Sequence, residues 1–409
     1  MHIIIFENPS THNFYPITLT RPSLDIFCGG TTLYNLLHRF FPKARFSFIV
    51  RDYLHQVVAE TFKPAKVLSD KILMIDGSVV PEARVIAKLA REVYKGRDFV
   101  IKQGVKIIVA FFSCKSIDFQ PAKLNRLKIN QINDLLAILK LSKTRLPIRT
   151  FNHLWEIIVF NSEILRDNLD YLRQGLKQYK PKVYVGKNVK IAEQVVLDTA
   201  SGPIIISDGT QIDSLVVLRG PLYIGKNCLV KSFAEIKASS SIGDVCKMGG
   251  EIEASIIQSY SNKQHYGYLG HAYVGSWVNL GAGTTNSDLK NTYGPLKMQG
   301  QATGQIFLGC VIGDYSKTAI GTLIYTAKVI GVNSMLYGTV VQDVPSFTNH
   351  AIELIECPLE VAWKMQKAMR ARRGLNTNFS QRHILSEVYK TTAQNRKATG
   401  VHGGKLVIK

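Results

Sequence analysis

The sequence predicts a two-part fold, an α/β domain followed by an all-β parallel β-helix of hexapeptide repeats with a helical C-terminal cap. Three features of the 409 residues indicate it. Short apolar runs alternate with helical patterns over the first 150 residues, an apolar residue recurs every six positions after about residue 183, and a basic amphipathic pattern follows the repeat. Alternating strands and helices are typical of layered α/β domains, and a fixed short repeat is typical of a solenoid.

The first 150 residues carry the α/β pattern. Residues 33–41 and 82–94 have the spacing of amphipathic helices. Strands that alternate with such helices favour a largely parallel sheet. Helical patterns at 131–141 and 155–172 then predict a connector. The predicted strands are the apolar runs at residues 3–6, 46–50, 72–75 and 105–110.

The six-residue period begins after residue 183. Neither the 3.6-residue period of a helix nor the two-residue period of a plain strand explains it. Each hexapeptide is expected to form one flat face of a prism, with its aliphatic residue pointing inward. Evenly spaced strands of a β-sandwich are the alternative, which eight consecutive positions argue against. Those eight are Ile206, Ile212, Leu218, Ile224, Val230, Ile236, Ile242 and Met248. A shorter run precedes them at Val185, Ile191 and Leu197, and a later run follows at Ile306, Ile312, Thr318, Ile324, Ile330 and Leu336.

The period is interrupted twice, between Met248 and Val274 and again between Leu280 and Ile306. Insertions into a solenoid leave as loops, frequently on the binding side. We therefore predict loops at both interruptions and a functional site nearby. Residues 286–295, which are polar and rich in turn formers, lie in the second.

After Pro345 the repeat stops, and residues 358–373 read as a basic amphipathic helix followed by a second helix at about 383–390. Such a helix packs against the open end of the solenoid or lies on a membrane surface, and the first is favoured. The predicted organisation is an α/β domain at 1–150, a helical connector at 151–180, the β-helix at 181–346 and a basic helical extension at 347–409.

Composition and charge exclude several classes of function. Lysine and arginine outnumber acidic residues by 51 to 30, a net charge of +21 that favours anionic partners. The sequence does not favour nucleic-acid binding, because no zinc-finger, helix-turn-helix or RNA-binding motif accompanies the charge. The six cysteines form no Cys-x-x-Cys pair, so no metal site is predicted. No apolar run reaches the roughly 18–20 residues of a membrane span, and no signal peptide is visible, so a cytoplasmic address is expected.

One segment carries a specific motif. Residues 264–275 read Gln-His-Tyr-Gly-Tyr-Leu-Gly-His-Ala-Tyr-Val-Gly, and residues 279–286 read Asn-Leu-Gly-Ala-Gly-Thr-Thr-Asn. This segment resembles the acetyltransferase half of the bifunctional enzyme that makes UDP-N-acetylglucosamine from glucosamine 1-phosphate. The whole of residues 1–350 is similar to a family of sugar nucleotidyltransferases that join a divergent nucleotidyltransferase-like domain to a left-handed β-helix. The strings at 18–22, 259–263, 286–291 and 313–317 carry that similarity.

The resemblance implies roles for individual residues. His265 matches the catalytic base that takes a proton from a sugar amine as it attacks the thioester of acetyl-coenzyme A. Tyr268 and Asn279 match positions that hold the sugar phosphate, and Asn286 matches one near the amine. Ala282 matches a backbone position that contacts the acyl carrier, and amides of this glycine-rich turn are expected to steady the oxyanion.

Two departures from the family pattern bear on the acceptor. Glu253 stands where a phosphate-binding lysine is expected, which makes a sugar 1-phosphate doubtful and favours another amino sugar or a nucleotide-linked sugar. His271 replaces an aspartate of the pattern and is interpreted as a surface residue.

The N-terminal domain departs further, because residues 7–12 after the first strand contain no glycine. Nucleotidyltransferases of this fold hold the triphosphate there on a glycine-rich loop. Gly29 and Gly30 are a candidate phosphate cradle with Arg21 as the charge partner, although a tight turn also explains the glycines. Asp76 is the candidate ligand for Mg²⁺ if this site is active.

The sequence therefore predicts a sugar or sugar-nucleotide transferase. Its β-helix is expected to use acetyl-coenzyme A and an amino sugar, and its N-terminal domain to transfer a nucleotidyl group if that site functions. The resemblance also implies a homotrimer with acyl-donor clefts between neighbouring prisms. The alternative is a non-catalytic sugar-nucleotide sensor or scaffold, which the altered phosphate loop and Glu253 favour.

Overall fold

A computed structural model describes residues 1–115, 120–139 and 141–407. The chain divides into two units, the first made of residues 1–26 and 31–153 and the second of residues 27–30 and 154 onwards. Lys140, in the helical pattern predicted at 131–141, lies outside the described residues.

The first unit is built on a five-stranded sheet. Its strands lie in the spatial order Arg45–Ile49, His2–Phe6, Lys71–Asp76, Lys106–Ser113 and Phe99–Gln103. The first three strands are parallel and the last two join antiparallel. The helices of this unit are Leu33–Phe40, His55–Phe62, Ala83–Tyr94 and Ile132–Ile138.

The prediction for the last part of this sheet is wrong in two respects. Phe99–Gln103 is an additional strand, and its partner Lys106–Ser113 runs antiparallel to Lys71–Asp76. A two-residue turn at Gly104 and Val105 connects the pair, with Gly104 at a φ of +58°. Val105, predicted to start a strand, is therefore fully exposed at the hairpin tip.

Residues 183–350 form a parallel β-solenoid with three faces, named A, B and C in chain order. Face A contains Val183–Val185, Ile204–Ile206, Leu222–Ile224, Ser240–Ile242, Ile256–Ile257, Tyr273–Val274, Val311–Ile312 and Val329–Ile330, with Lys177–Lys180 antiparallel at its edge. Face B contains Lys190–Ile191, Gln211–Ile212, Leu229–Val230, Lys247–Met248, Asn262–Lys263, Lys317–Thr318, Met335–Leu336, Thr348–His350 and the antiparallel Leu354–Glu356. Face C contains Val196–Asp198, Val217–Arg219, Glu235–Ile236, Glu251–Glu253, Tyr268–Gly270, Thr285–Asn286, Leu323–Ile324 and Thr339–Val340.

The predicted β-helix is thus confirmed, and the six-residue period of the sequence is the spacing of the residues in its hydrophobic core. All eight residues from Ile206 to Met248 at six-residue spacing are buried in one continuous hydrophobic cluster. Residues at the corners, such as Asn227, Phe233 and Val245, have positive φ, which turns the chain between faces. Ile306, predicted to belong to the later run, is 48% exposed because it lies on an inserted loop, and the column resumes at Ile312.

Only the second interruption of the period forms a loop. Residues 287–308 leave the solenoid after Thr285–Asn286 and contain a small hairpin of Lys297–Met298 and Gln301–Ala302. At the first interruption the coil continues, with two residues between strands of faces B and C where the preceding coil has four. A shortened corner shifts the period without opening a loop.

Helices pack on the solenoid at both ends of this unit. The helix Asn161–Leu172, preceded by Glu156–Val159, contacts face A through Leu165, Leu169 and Ile205. At the C-terminus, Phe379–Thr391 and Ala393–Ala398 lie against the last coil, where Tyr389 meets Phe347 edge to face.

The remaining C-terminal helix, Leu359–Ala371, runs back along the solenoid. Its thirteen residues span about 20 Å, which equals four coils at about 4.8 Å each. Arg370 lies over the ring of Trp277, three coils before the coil that contains Phe347. In the described part of the chain, no helix is long and apolar enough to cross a membrane.

Candidate functional site

His265 lies at the corner that joins faces B and C, between Asn262–Lys263 and Tyr268–Gly270. Its ring is exposed, and no described residue forms a hydrogen bond with it. The corner itself is fixed, because the buried Lys263 Nζ donates to the backbone oxygens of His265 at 3.0 Å and Gly249 at 2.9 Å. The imidazole therefore faces solvent, and the hydrogen bonds from Lys263 fix the backbone that carries it.

A glycine allows this corner to approach the next coil. Gly267 has a φ of +117°, and a Cβ atom there would lie 2.2 Å from the backbone oxygen of Thr284. Any larger residue would push the two coils apart.

The side chain of Tyr268 reaches Asp288 at the start of the inserted loop. Its hydroxyl donates to Asp288 Oδ2 at 2.8 Å and lies 3.5 Å from Glu253 Oε2. His271 Nδ1 lies 2.7 Å from the same Asp288 oxygen. The structure thus brings Tyr268 together with His271 and Asp288, neither of which the sequence assigned to the site.

Charges on face C surround this group. Glu253 does not act as a free carboxylate, since Lys237 Nζ lies 3.1 Å from its Oε2 and 2.6 Å from Glu251 Oε1. The hydrogen bonds to Glu251 and Glu253 raise the pKa of Lys237. With Asp288 included, this end of the face carries three carboxylates against one ammonium group.

Asn286 is buried, with 2% of its surface exposed. Its Oδ1 accepts from the Gly270 N–H and its Nδ2 donates to the Gly270 oxygen, both at 2.9 Å. These bonds occupy the amide, so Asn286 ties the inserted loop to the strand that carries Tyr268. The resemblance implies a position near the substrate amine for Asn286, which stays a prediction; a direct bond from its amide would require breaking these two hydrogen bonds.

Asn279 lies on face B, at the end of a chain of hydrogen bonds. Its Oδ1 accepts from Asn262 Nδ2 at 3.3 Å, and Asn262 Oδ1 accepts from Arg373 Nη2 at 2.7 Å. The C-terminal segment therefore orients the amide of Asn279. The sequence could not predict this link between the C-terminal segment and face B, because Arg373 follows Asn279 by 94 residues.

Two of the three backbone amides in the glycine-rich turn at Ala282 donate to groups of the protein itself. The Gly281 N–H donates to Thr318 Oγ1 at 2.9 Å, and the Gly283 N–H donates to the Tyr266 oxygen at 3.1 Å. The two glycine amides hold neighbouring coils together and are not directed at a ligand. For these two amides a contact with an oxyanion would require breaking those bonds, and the role of the turn stays a prediction.

In the first unit, the segment after the first strand is closed by an ion pair. The fully buried Glu7 accepts two hydrogen bonds from the Arg51 guanidinium, each at 2.9 Å, and one from the Ser23 N–H at 2.9 Å. Burial lowers the pKa of Arg51, but the charge of Glu7, its hydrogen bonds and the neighbouring Tyr53 and Tyr15 together raise the pKa above its ordinary value. A 3₁₀ helix, Pro9–Phe14, stands in place of a glycine-rich phosphate loop.

The residues of the predicted phosphate cradle belong to different units, and the cradle stays a prediction. Arg21 is nearly buried, with its Nη1 3.5 Å from Asp25 Oδ2. Gly29 belongs to the second unit, where its N–H donates to Asn161 at 2.8 Å and its oxygen accepts from Asn168 at 3.0 Å. The two glycines therefore form a packed turn, the alternative that the sequence left open.

Asp76 does not fit a Mg²⁺ ligand. Its fully buried carboxylate accepts from Asn8 at 2.7 Å and from the N–H and hydroxyl of Ser78 at 2.8 and 2.6 Å. Lys106 Nζ lies 3.0 Å from the same group. The ammonium ion takes the place that a divalent cation would need, so we derive no step through a metal here.

The fold and the residue pattern place this chain among β-helix proteins of the hexapeptide type. A family model described as sugar nucleotidyl transferase matches residues 3–177. The uncharacterized acetyltransferase YaiX of Escherichia coli O6:K15:H31 is 30% identical over 185 residues, which cover 43% of this chain and 80% of that protein. The bifunctional protein GlmU of Synechococcus sp. strain CC9311 is 30% identical over 151 residues, 36% of this chain but only 29% of GlmU.

The chain belongs to this family of hexapeptide-repeat sugar transferases. A crystal structure of an Arabidopsis UDP-N-acetylglucosamine acyltransferase aligns with 55% of this chain and 96% of that one, at 15% identity and a TM-score of 0.22. A likeness of that size carries no information about substrate.

Proposed function

We propose that the solenoid unit transfers the acetyl group of acetyl-coenzyme A to the amine of a sugar, either a sugar phosphate or a nucleotide-linked sugar. His265 is the proton acceptor. The amine nitrogen attacks the thioester carbonyl, the C–S bond breaks, and the proton passes through the imidazole to the departing thiolate. The exposed imidazole on a backbone held by Lys263 is the observation that carries the proposal, because a neutral imidazole suits this step at pH 7.

The test is thiol release by the full chain from acetyl-coenzyme A, with a panel of amino sugars, amino sugar phosphates and UDP-amino sugars. We expect release that depends on one acceptor class. His265→Ala is expected to lower the rate by roughly 10²–10⁴-fold. His402→Ala is the matched control, since His402 is also an exposed histidine but lies in the C-terminal segment. Equal rates for wild type and His265→Ala would contradict the assignment.

Three further residues are proposed to bind substrates. Tyr268 and Asn279 hold the acceptor, and the backbone at Ala282 contacts the acyl carrier. The carboxylates around Tyr268 support an acceptor without a phosphate at that end, because like charges repel. Asn279→Ala is expected to raise the acceptor KM with little effect on kcat, and a fall in kcat alone would contradict uniform binding.

We propose that the working enzyme is a homotrimer with acyl-donor clefts between prisms. Phe233 and Ile320 support this, since 76% and 79% of their surfaces are exposed at corners of the solenoid. Exposed aromatic and aliphatic groups of this size favour burial against another subunit. Sedimentation at micromolar concentration is expected to give three times the mass of one chain. A species of single-chain mass would contradict the proposal.

A second candidate function belongs to the first unit. The family match over residues 3–177 supports sugar 1-phosphate nucleotidyl transfer with Arg21 near the phosphates. The closed segment at Glu7 and Arg51 favours the alternative, a sugar-nucleotide sensor or scaffold. Calorimetry with UTP, dTTP and UDP-sugars, followed by a pyrophosphate-release assay, separates them. Binding without turnover supports the sensor, and turnover that Arg21→Ala abolishes supports the transferase.

A further inference from the structure

A second imidazole lies at the opposite end of the strand that follows His265. His271 comes directly after Tyr268–Gly270 and is held from two sides. Its Nδ1 lies 2.7 Å from Asp288 Oδ2, and its ring stacks on Phe307 at a centroid distance of 5.6 Å. The ring is therefore oriented, yet 29% of the side chain is exposed and within reach of a ligand.

Asp288 determines which ring nitrogen of His271 is directed away from the carboxylate. Burial raises the pKa of Asp288, but hydrogen bonds from His271 and Tyr268 outweigh burial and bring the pKa below its ordinary value. The carboxylate is ionised at neutral pH and only accepts, so Nδ1 of His271 donates to it and Nε2 is the ring nitrogen left for a ligand. Burial and the bond to Asp288 raise the pKa of Tyr268, which stays a donor.

The surrounding charges decide which nucleophile suits this position. The groups that face it are Asp288, Tyr268 and Glu253, with Glu251 and Lys237 behind them. Carboxylates stabilise an ammonium ion, so an amine beside Asp288 or Glu253 is held in its protonated, non-nucleophilic form, whereas the proposed amine transfer takes place at His265. A hydroxyl is uncharged, so the carboxylates do not block its attack. It needs a base that removes its proton, and the conjugate acid of that base is stabilised by a nearby anion. Asp288 is that anion for His271.

We propose that Tyr268, His271 and Asp288 form a second acceptor position, at which a sugar hydroxyl is acylated. The inference rests on the proposed use of acetyl-coenzyme A by this unit. His271 Nε2 takes the hydroxyl proton while the oxygen attacks the thioester carbonyl. The C–S bond then breaks, the thiolate receives the proton from the imidazolium, and the products are an ester and free coenzyme A. Asp288 acts through His271 and is a positioning residue.

The experiment compares two matched acceptors with the full chain, an amino sugar and the same sugar with a hydroxyl in place of the amine. Thiol release measures total transfer, and lability to hydroxylamine separates ester from amide. His271→Asn is the test variant because asparagine tolerates the positive φ of +46° at this position. We expect it to lower ester formation by roughly 10²–10⁴-fold, and to lower the ratio of ester to amide, while His402→Ala changes neither.

The Asp288→Asn variant distinguishes a role of Asp288 in the reaction from a purely structural role. Loss of the anion removes the group that orients Nδ1 and stabilises the imidazolium formed during transfer, so kcat for ester formation falls while the KM of the hydroxyl acceptor changes little. An active enzyme that forms amide but no ester overturns this inference and leaves the proposed function intact. So does ester formation by His271→Asn at the wild-type rate. An enzyme that releases no thiol with any acceptor overturns both.

Discussion

Lys263 makes the stability of the solenoid depend on pH in a direction that can be measured. Only 3% of this lysine is exposed, and its register partner on the preceding coil is Met248 of the hydrophobic column. Burial lowers its pKa to about 8, with Glu251 opposing the shift. In an unfolded chain the same group titrates near 10.4.

The sign follows from proton binding. Below pH 8 the lysine is charged in both states, and the folded state bears the full cost of burying it. Between pH 8 and about 10.4 the unfolded state binds more protons, so stability rises with pH. At 1.36 kcal/mol per pKa unit, the gain from Lys263 is about 2 kcal/mol between pH 8 and 9.5.

Urea unfolding of wild type and Lys263→Met at pH 7, 8 and 9.5 measures this gain. The difference in unfolding free energy between the two proteins is expected to change by about 2 kcal/mol from pH 8 to 9.5, in favour of wild type. Because Lys317 is present in both proteins, its own lowered pKa cancels in the comparison. A difference that stays constant across this range would refute the assignment of a buried, shifted lysine.

Three other predictions concern stability and substrate binding. Ile236→Ala removes a fully buried residue of the column and is expected to cost roughly 2–5 kcal/mol in chemical denaturation. The exposed Val196→Ala is its control, expected to change stability by under about 0.5 kcal/mol. Arg373→Ala removes the first hydrogen bond of the chain that orients Asn279. It is expected to raise the acceptor KM severalfold in steady-state assays. An unchanged KM would contradict a role of this hydrogen-bond chain in acceptor binding. Arg51→Met leaves a buried carboxylate unpaired and is expected to destabilise the first unit by about 3–5 kcal/mol, seen as an earlier unfolding transition.

The solenoid was predictable because each hexapeptide repeats the same local rule. An inward aliphatic residue must recur at every face, so the period appears in the sequence before any contact is known. The rule fails where an insertion mimics it. Ile306 stands six residues before Ile312 but lies on the inserted loop, and spacing alone cannot distinguish the two.

The candidate site was predictable only in part. The motif predicted roles for His265 and Tyr268, but it did not predict the residues that contact Tyr268. Asp288 lies on the next coil, at the start of the inserted loop, and His271 differs from the family pattern. Their meeting depends on stacking of coils and on the path of a loop, which no local pattern of residues encodes.

Transfer of an isotopically labelled acetyl group tests the central claim most directly. The full chain is incubated with labelled acetyl-coenzyme A and a mixture of amino sugars and sugar nucleotides, and the products are separated by mass spectrometry. We predict that the label appears on the nitrogen of one acceptor class, at a rate that falls with His265→Ala. Label that remains on coenzyme A, or that appears only as free acetate with a folded protein, would contradict the account.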